Sequence, residues 1–192
     1  MLSSRPATAL LLAALVALPW PVQADDLAPR KQALLLLRVL VYDRNLKSRA
    51  GNSVRVAVAF RASDRESEKR RDELVSAFEQ VSREVVAAGL PVEVVAVPYR
   101  DATDFEARLA AAHPSALYAC VQLEPAAGII ARMTRRLHIL SAAGSRFMPE
   151  SGLAIGLVSR GQRAAVIVNL RAAKGEGADL DAALLSIAEV LP

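Results

Sequence analysis

The stretch Val54-Arg55-Val56-Ala57-Val58-Ala59-Phe60 decides the fold, together with the helix and strand patterns that follow it. It is apolar apart from one arginine, and a short apolar run preceded by Gly51-Asn52-Ser53 is typical of a strand buried on both faces. Ser63-Asp64-Arg65-Glu66 then has the capping-box spacing that starts a helix. Pro91-Val92-Glu93-Val94-Val95-Ala96-Val97 predicts a second strand. Strand, helix and strand form a βαβ unit, which requires the two strands to be parallel.

The alternation of helix and strand continues past this unit. Helix starts are indicated at Thr103-Asp104-Phe105-Glu106 and at Glu124-Pro125, where the missing N–H of an early proline is harmless. Strand patterns lie at Ala116–Val121 and Leu137–Ser141. This alternation predicts an α/β fold with a mainly parallel sheet.

The pattern changes in the last third of the chain. Leu153–Val158 and Ala164–Val168 flank the short polar loop Ser159–Arg163, which predicts an antiparallel hairpin. Asp179–Leu191 has apolar residues at helical spacing and predicts a final helix. The expected fold is therefore a mainly parallel sheet flanked by helices on both faces, with an antiparallel C-terminal hairpin and a final helix. Ahead of the sheet, Lys31–Lys47 predicts a helix that is apolar nearly all round, expected to pack on the core with one side and to offer a dimer contact with the other.

Residues 1–24 have the layout of a secretory signal peptide. Arg5 precedes the apolar run Ala7–Leu18, which is shorter than the roughly 20 residues that a membrane-spanning helix needs. Val22-Gln23-Ala24 is a small-x-small cleavage site. The sequence thus predicts cleavage after Ala24, a periplasmic location and a single α/β domain over residues 25–192. An uncleaved anchor is the alternative.

Charge and aromatic content argue against nucleic-acid binding. The 192 residues carry 24 Lys and Arg against 20 Asp and Glu, and aromatic residues make up 4%. The basic residues are dispersed among acidic ones, so neither a basic patch nor a platform for base stacking is expected. The single cysteine, Cys120, lies in an apolar strand pattern and is interpreted as a core residue. An intermolecular disulfide or a reactive thiol are the alternatives.

The chain offers no recognisable catalytic motif. His113 and His138 have no acidic or cysteine neighbours at metal-ligand spacing, so neither a metal site nor a cofactor is predicted. Gly156-Leu-Val-Ser159-Arg-Gly161 is one residue too long for a nucleophile elbow, and Ser159 begins a turn. We therefore expect a protein that is not an enzyme. A hydrolase or transferase would need an activated nucleophile or general base.

The strand ends mark a candidate binding rim. Ligands of open parallel sheets bind outside the carboxyl ends of the strands. Those ends carry hydrogen-bond donors, acceptors and both signs of charge, suited to a small polar ligand or a protein loop: Asp64, Tyr99, Arg100, Asp101, Gln122, Ser141, Ser145 and Arg146. The alternative interpretation is that these residues are ordinary caps and turns, since an inference from fold alone is associational.

The C-terminal third resembles the YfiR-like family. The matching segments are Arg135-Arg136-Leu137-His138-Ile139-Leu140-Ser141, then Gly152-Leu-Ala-Ile-Gly, then Ala165-Val-Ile-Val-Asn169-Leu-Arg-Ala172-Ala173, and finally Leu184-Leu185-Ser-Ile-Ala188. In that family a strand, a glycine-containing hairpin, an Asn-Leu-x-Ala-Ala segment and a Leu-Leu-x-x-Ala helix follow in this order. The motif residues Gly152, Asn169, Ala172, Ala173, Leu184 and Leu185 are mostly packing residues, so the resemblance implies no catalytic site.

This resemblance implies a small periplasmic regulator. The best-known members of the family restrain an inner-membrane diguanylate cyclase by contacting its periplasmic portion, and they tend to dimerise. The chain departs from the family in having one cysteine and no tryptophan in its leading helix, since Trp20 lies in the predicted signal peptide. Our leading hypothesis is an exported regulator that contacts a membrane-protein partner, with a small-ligand-binding module as the alternative.

Overall fold

The structure, a computed structural model, describes residues 27–191. The predicted signal peptide therefore lies outside the described residues. Within residues 27–191, no helix combines the length and the apolar character needed to cross a membrane.

Seven strands form one sheet. Their bounds are β1 Val54–Arg61, β2 Val92–Tyr99, β3 Ala116–Ala119, β4 Leu140–Ala143, β5 Ile155–Arg160, β6 Arg163–Asn169 and β7 Glu189–Leu191. The order across the sheet is β2-β1-β3-β4-β5-β6-β7.

The helices are mostly short; the first two precede β1, and the others connect consecutive strands. Their bounds are α1 Pro29–Val41, α2 Leu46–Ala50, α3 Arg65–Glu84, α4 Ala102–Ala112, α5 Ala127–Leu137, α6 Phe147–Glu150, α7 Leu170–Gly175 and α8 Ala182–Leu185, and a short 3-10 turn over Glu124–Ala126 precedes α5.

The first five strands run parallel. β1 pairs with β2 on one side and with β3 on the other, and β3, β4 and β5 follow in parallel. β5 and β6 form an antiparallel hairpin whose turn contains Gly161 at a φ of 60°, in the left-handed region that favours glycine. The predicted α/β fold, with its mainly parallel sheet and antiparallel hairpin, is confirmed.

Helices cover both faces of the sheet. One core layer lies between the sheet and α1, α3, α7 and α8, with Leu36, Phe78 and Tyr118 among its buried side chains. The other lies under α4, α5 and α6, with Phe105 and Ile130 fully buried. The side chains of β1 alternate between these layers, as expected for a strand buried on both faces.

The predicted final helix is wrong over most of its length. Only Ala182–Leu185 is helical, and Glu189–Leu191 forms β7 alongside β6. Ile187, which the helical spacing assigned to the core, is 77% exposed. β6 otherwise has an unpaired edge, and backbone pairing with the last residues satisfies it better than one more helical turn would.

Two other predicted boundaries also move. The strand predicted at Leu137–Ser141 begins only at Leu140, because α5 continues to Leu137 and His138 closes it in a left-handed conformation. The helix predicted over Lys31–Lys47 is broken at Asp43, whose buried carboxylate accepts a hydrogen bond from the Asn45 N–H. Asp competes for backbone donors in this way and interrupts helices.

Candidate functional site

The strand order reverses at β1. The chain places β2 on one side of β1 and β3 on the other, so the carboxyl ends of β1 and β3 are neighbours. In open α/β sheets such a switch point is where ligands bind. A binding site is therefore expected at this end of the sheet.

Two non-glycine residues are left-handed just beyond these strand ends. Ser63 follows β1 with a φ of 65°, and Gln122 follows β3 with a φ of 68°. Arg61 Nε donates to the Gln122 carbonyl at 2.6 Å, and Gln122 Nε2 donates to Glu66 at 2.8 Å. Strained backbone persists where its surroundings hold it in place, and it is frequent at functional sites.

Ser67 joins the ends of β1 and β3. Its buried hydroxyl accepts a hydrogen bond from the Arg61 N–H at 2.9 Å and donates to the Val121 carbonyl at 2.8 Å. The Ser67 N–H donates to Asp64, so Asp64, a predicted rim residue, is the N-cap of α3. Sequence reasoning missed Ser67, because nothing in a first-turn serine points to a contact with another strand.

A cavity of about 100 Å³ lies at the carboxyl ends of β3 and β4. α1 closes one side of it, α3 lies at the mouth, and the loop after β4 with α6 completes the wall. Its lining includes Gln32, Arg70, Tyr118, Cys120, Ser145 and Met148. Of the predicted rim, Ser145 is part of this lining.

Gln32 and Tyr118 form a hydrogen-bonded pair at the buried end of the cavity. The Tyr118 hydroxyl donates to Gln32 Oε1 at 2.6 Å. Burial raises the pKa of the Tyr118 phenol far above its ordinary value, so the hydroxyl keeps the proton that it donates. The pair leaves Gln32 Nε2 without a hydrogen-bond partner, although Gln32 is 0% exposed.

Ser145 supplies a second unpartnered group. Its Oγ is buried and makes no hydrogen bond. Gly144, the residue before it, lies so close to the pair that a Cβ there would be 2.7 Å from the Tyr118 hydroxyl and 2.8 Å from Gln32 Nε2. Glycine is thus favoured at position 144, because a larger residue would displace the ends of the Gln32 and Tyr118 side chains.

The cavity lining includes one cation, Arg70 of α3, and one carboxylate, Glu124 of the 3-10 turn. Arg70 lines the mouth and forms an ion pair with Glu73 at 3.3 Å. Burial raises the pKa of the Cys120 thiol to about 12, and Arg70 and Arg71 offset that rise only in part. Cys120 therefore stays protonated at neutral pH and is a poor nucleophile. It is a buried residue of the apolar wall, as its strand pattern predicted.

The predicted rim residues after β2 lie away from this cavity. Tyr99 packs edge-to-face on Phe105, with 5.1 Å between ring centroids. Asp101 caps α4 by accepting a hydrogen bond from the Asp104 N–H, and Arg100 is exposed. β2 is an edge strand, so its end is separated from β3 by the whole width of β1.

Two further predicted rim residues, Arg146 and Ser141, form contacts outside the cavity. Arg146 is exposed and forms ion pairs with Glu150 and with Glu189 of β7. Ser141 is not beyond the end of β4, as predicted, but is its second residue and is fully buried. The shift follows from the later start of β4. Ser141 Oγ donates to Glu176, and it accepts a hydrogen bond from the Ala154 N–H.

Glu176 is a buried carboxyl group that sequence reasoning also missed. Thr134 and Ser141 each donate a hydroxyl to its Oε1 at 2.6 Å, and the Ser141 N–H donates to Oε2 at 2.8 Å. Burial raises the pKa of Glu176 to about 7, although these hydrogen bonds and Arg135 lower it. The network joins α5, β4 and the end of α7, and it does not line the cavity.

The residues of the family resemblance have capping and packing roles here. Gly152 has a φ of 112°, and its carbonyl accepts a hydrogen bond from Arg135 at 2.9 Å. Asn169 caps α7 and donates to the Pro149 carbonyl at 2.9 Å. The remaining motif residues contribute to the core layer under α7 and α8: Ala172, Ala173, Leu184 and Leu185.

The two histidines end helices. His113 closes α4 and His138 closes α5, both in the left-handed conformation. Among residues 27–191, no cluster of three or more His, Cys, Asp or Glu side chains is arranged to hold a metal ion.

Comparisons by sequence give no relative. No protein-family model matches the chain, and no curated protein matches it. The resemblance to the YfiR-like family therefore stays a prediction.

Solved structures with a similar fold are found. The ABC domain in complex with L-Trp from Streptococcus pneumoniae has a TM-score of 0.58 at 14% identity, over 85% of this chain and 60% of that one. A ligand-free, open substrate-binding protein with adhesive properties from Clostridium difficile has a TM-score of 0.56 at 13% identity, over 77% and 57%. A conserved domain protein from Vibrio cholerae has a TM-score of 0.61 at 14% identity, over 86% and 60%.

At these identities the likeness shows the fold alone. The chain spans about 60% of the length of these structures. The first of these structures is a complex with L-Trp, and the second is described as a substrate-binding protein. These descriptions apply to those proteins.

Proposed function

We propose that this chain is a small-ligand-binding domain and that its site is the cavity beside Gln32, Tyr118 and Ser145. One observation carries the proposal: buried polar atoms of two lining residues, Gln32 Nε2 and Ser145 Oγ, have no hydrogen-bond partner among residues 27–191. An unsatisfied buried donor costs about 1–3 kcal/mol, and a ligand that accepts from it removes that cost. The position at the carboxyl ends of parallel strands supports the same proposal.

The size of the cavity limits the ligand. A volume of about 100 Å³ is below the roughly 300–1,000 Å³ of pockets for drug-sized ligands. A second, outer groove of about 210 Å³ shares Arg70 and Val121 with the cavity and provides an approach from solvent. The fold that the chain shares with a substrate-binding protein is in keeping with such a role.

Binding without catalysis is part of this proposal. The thiol in the lining, Cys120, has a pKa that burial raises to about 12, so it holds its proton at neutral pH. The nearest buried carboxyl network, that of Glu176, is bonded within the fold rather than directed into the cavity. A catalytic role would need a nucleophile or general base at the bound ligand.

The proposed location is the periplasm. It rests on the signal-peptide pattern of residues 1–24, with cleavage after Ala24. N-terminal sequencing of the protein recovered from a periplasmic extract tests it. A mature chain that begins at Asp25 is expected, and an intact Met1 on cytoplasmic protein would contradict the proposal.

A screen by NMR tests the binding function. Isotope-labelled protein is titrated with a library of small polar metabolites, and the backbone amides of Gly144 and Ser145 and the methyl group of Met148 are observed. At least one compound is expected to shift these signals in wild type and not in Gly144→Ala, in which the added methyl enters the cavity wall. If no compound shifts them, the cavity is not a binding site.

Regulation by protein contact is the second candidate function. Phe147 on α6 is 52% exposed, while its neighbour Met148 lines the cavity. Arg146, the residue before Phe147, forms an ion pair with Glu189, so α6 and β7 meet at this part of the surface. A partner seated there would be close to a bound ligand, as a periplasmic regulator of a membrane diguanylate cyclase would require.

Affinity capture from envelope extracts tests this second candidate. The tagged mature protein is expected to retain a membrane diguanylate cyclase, and Phe147→Ser is expected to lose it. Val86→Ser is the matched control, because Val86 is 59% exposed and belongs to the segment after α3 rather than to α6. Capture that is equal for the two variants, or that yields no cyclase, would contradict regulation through this surface.

A further inference from the structure

The hydrogen-bonding groups left over in the cavity can all donate, and the amide of Gln32 can only donate. Gln32 Oε1 and the Tyr118 hydroxyl satisfy each other, which leaves the two N–H bonds of Gln32 Nε2. Ser145 adds a hydroxyl, and Gly144, the residue before it, lies against Gln32 Nε2. A ligand that matches these groups must present hydrogen-bond acceptors.

A cation, Arg70, lines the mouth of the cavity, and its charge acts on groups at the buried end. Burial raises the pKa of Cys120, and the charges that oppose this, Arg70 and Arg71, are both cations. Arg70 also lowers the pKa of Tyr118, after burial and Cys120 raise it. Glu124 also lines the cavity and, like Arg70, is half-buried, so the lining holds one charge of each sign.

The walls and the volume limit what else the ligand carries. Ala119, Ala143 and Met148 make much of the lining apolar. A cavity of about 150 Å³ can hold benzene, which has six non-hydrogen atoms, so about 100 Å³ is space for about four. One acceptor group and a methyl or ethyl group fill that space.

We infer that the cavity binds the carboxylate group of a short-chain organic acid, with Gln32 and Ser145 as its donors and the apolar wall around its alkyl end. This inference rests on the proposed function and names the ligand class for the same site. A carboxylate presents only hydrogen-bond acceptors, which matches the donors of Gln32 and Ser145, and Arg70, although paired with Glu73, adds a positive charge at the mouth.

Sodium acetate is the probe that tests this inference. It is titrated at constant ionic strength in a buffer free of carboxylates, and the amide signals of Gly144 and Ser145 are followed. An acid of four non-hydrogen atoms binds no tighter than about 40 µM, so a dissociation constant of about 0.1–10 mM is expected. Acetamide, which has the same shape without the charge, and hexanoate, which exceeds the volume, are expected to bind at least about tenfold more weakly.

Two variants locate the site. Ser145→Ala removes a hydroxyl that makes no bond within the protein, so folding is retained and acetate binding is expected to weaken about tenfold. Ser115→Ala is the matched control, because Ser115 also has a buried, unpartnered hydroxyl but lies at the amino end of β3, outside the cavity. The double variant Gln32→Met/Tyr118→Phe leaves no half of the pair unsatisfied and is expected to abolish binding.

Each outcome separates the inference from the proposed function. Acetamide or hexanoate binding as tightly as acetate overturns the carboxylate assignment or the size limit. Acetate binding that Ser145→Ala leaves unchanged also overturns the inference. If other compounds of the metabolite screen shift the Gly144 and Ser145 signals and acetate does not, the binding function stands and the carboxylate inference fails. If no compound shifts these signals, both the binding function and the carboxylate inference are rejected.

Discussion

At the scale of single residues, Glu176 makes stability depend on pH. Burial raises its pKa to about 7 in the folded state, so the folded protein holds this proton more tightly than the unfolded chain does. Stability is then lost as pH rises from about 4.5 to about 7, where the unfolded carboxyl ionises and the folded one does not. A shift of this size corresponds to a loss on the order of 3 kcal/mol.

Glu176→Gln isolates this effect. The amide imitates the protonated carboxyl and does not titrate, so the difference in unfolding free energy between wild type and variant is expected to fall as pH rises from 4.5 to 7. Urea unfolding at several pH values measures it. Carboxylates distant from this network, such as Glu189, act equally in both proteins and cancel in the comparison. A difference that stays constant across this range would contradict the assignment to Glu176.

Gly144 is the second residue whose role can be tested alone. A methyl group there would lie 2.7 Å from the Tyr118 hydroxyl, so Gly144→Ala is expected to destabilise the protein by about 1–3 kcal/mol. Gly128→Ala serves as control, since the nearest atom to its Cβ is the end of Arg132 at 3.9 Å. It is expected to leave stability unchanged or slightly higher. Equal effects in denaturant unfolding would show that position 144 tolerates a side chain.

At the scale of elements, one buried ion pair fastens the leading helices to the rest of the fold. Asp43, between α1 and α2, accepts hydrogen bonds from the Asn45 and Asp179 N–H groups and pairs with Arg49. Arg49 in turn donates to the Ser115 carbonyl at 2.8 Å. The pair thus joins α1 and α2, the segment before α8 and the start of β3.

Breaking this pair is expected to be costly. Asp43→Ala leaves Arg49 buried without its counter-ion, which costs about 3–5 kcal/mol. The control is Glu84→Ala, which breaks the exposed Arg30–Glu84 pair, 54% and 58% exposed, and is expected to cost less than about 1 kcal/mol. Urea unfolding measures both. Similar costs for the two variants would mean that the Asp43 pair does not fasten these elements.

At the scale of the whole molecule, the three-residue strand β7 forms one edge of the sheet and covers β6. It pairs three residues with β6, and Glu189 binds both Arg146 and Arg160 across the hairpin. Without β7, the backbone of β6 would be open to strand pairing with other molecules. The short strand therefore protects the sheet as well as completing it.

Deletion from Ile187 onward tests this role. The truncated protein is expected to associate more than the full chain at equal concentration, because β6 becomes an exposed edge strand. Sedimentation velocity measures the association. Glu189→Gln, which weakens the ion pairs and keeps the strand, is expected to behave like wild type. Identical sedimentation of the truncated and full-length proteins would contradict edge protection.

The sequence predicted the strands of the parallel core and the hairpin because their signals are local. Val54–Phe60 is an apolar run that needs no other part of the chain to be recognised, and it forms most of β1. The final helix was wrong because the spacing over Asp179–Leu191 describes one segment alone. The choice of a strand there depended on the free edge of β6, which exists only in the assembled sheet.

For the candidate site, the sequence predicted its location at the carboxyl ends of the strands and one lining residue, Ser145. This was possible because parallel strands place their carboxyl ends at the same edge of the sheet. Only the tertiary structure decided the cavity itself. Its pair, Gln32 and Tyr118, is separated by 86 positions, and the hydrogen bond between Ser141 and Glu176 spans 35. Hydropathy patterns record which side chains are buried, but the partner of a buried polar group is fixed by packing between distant segments, and no local pattern contains it.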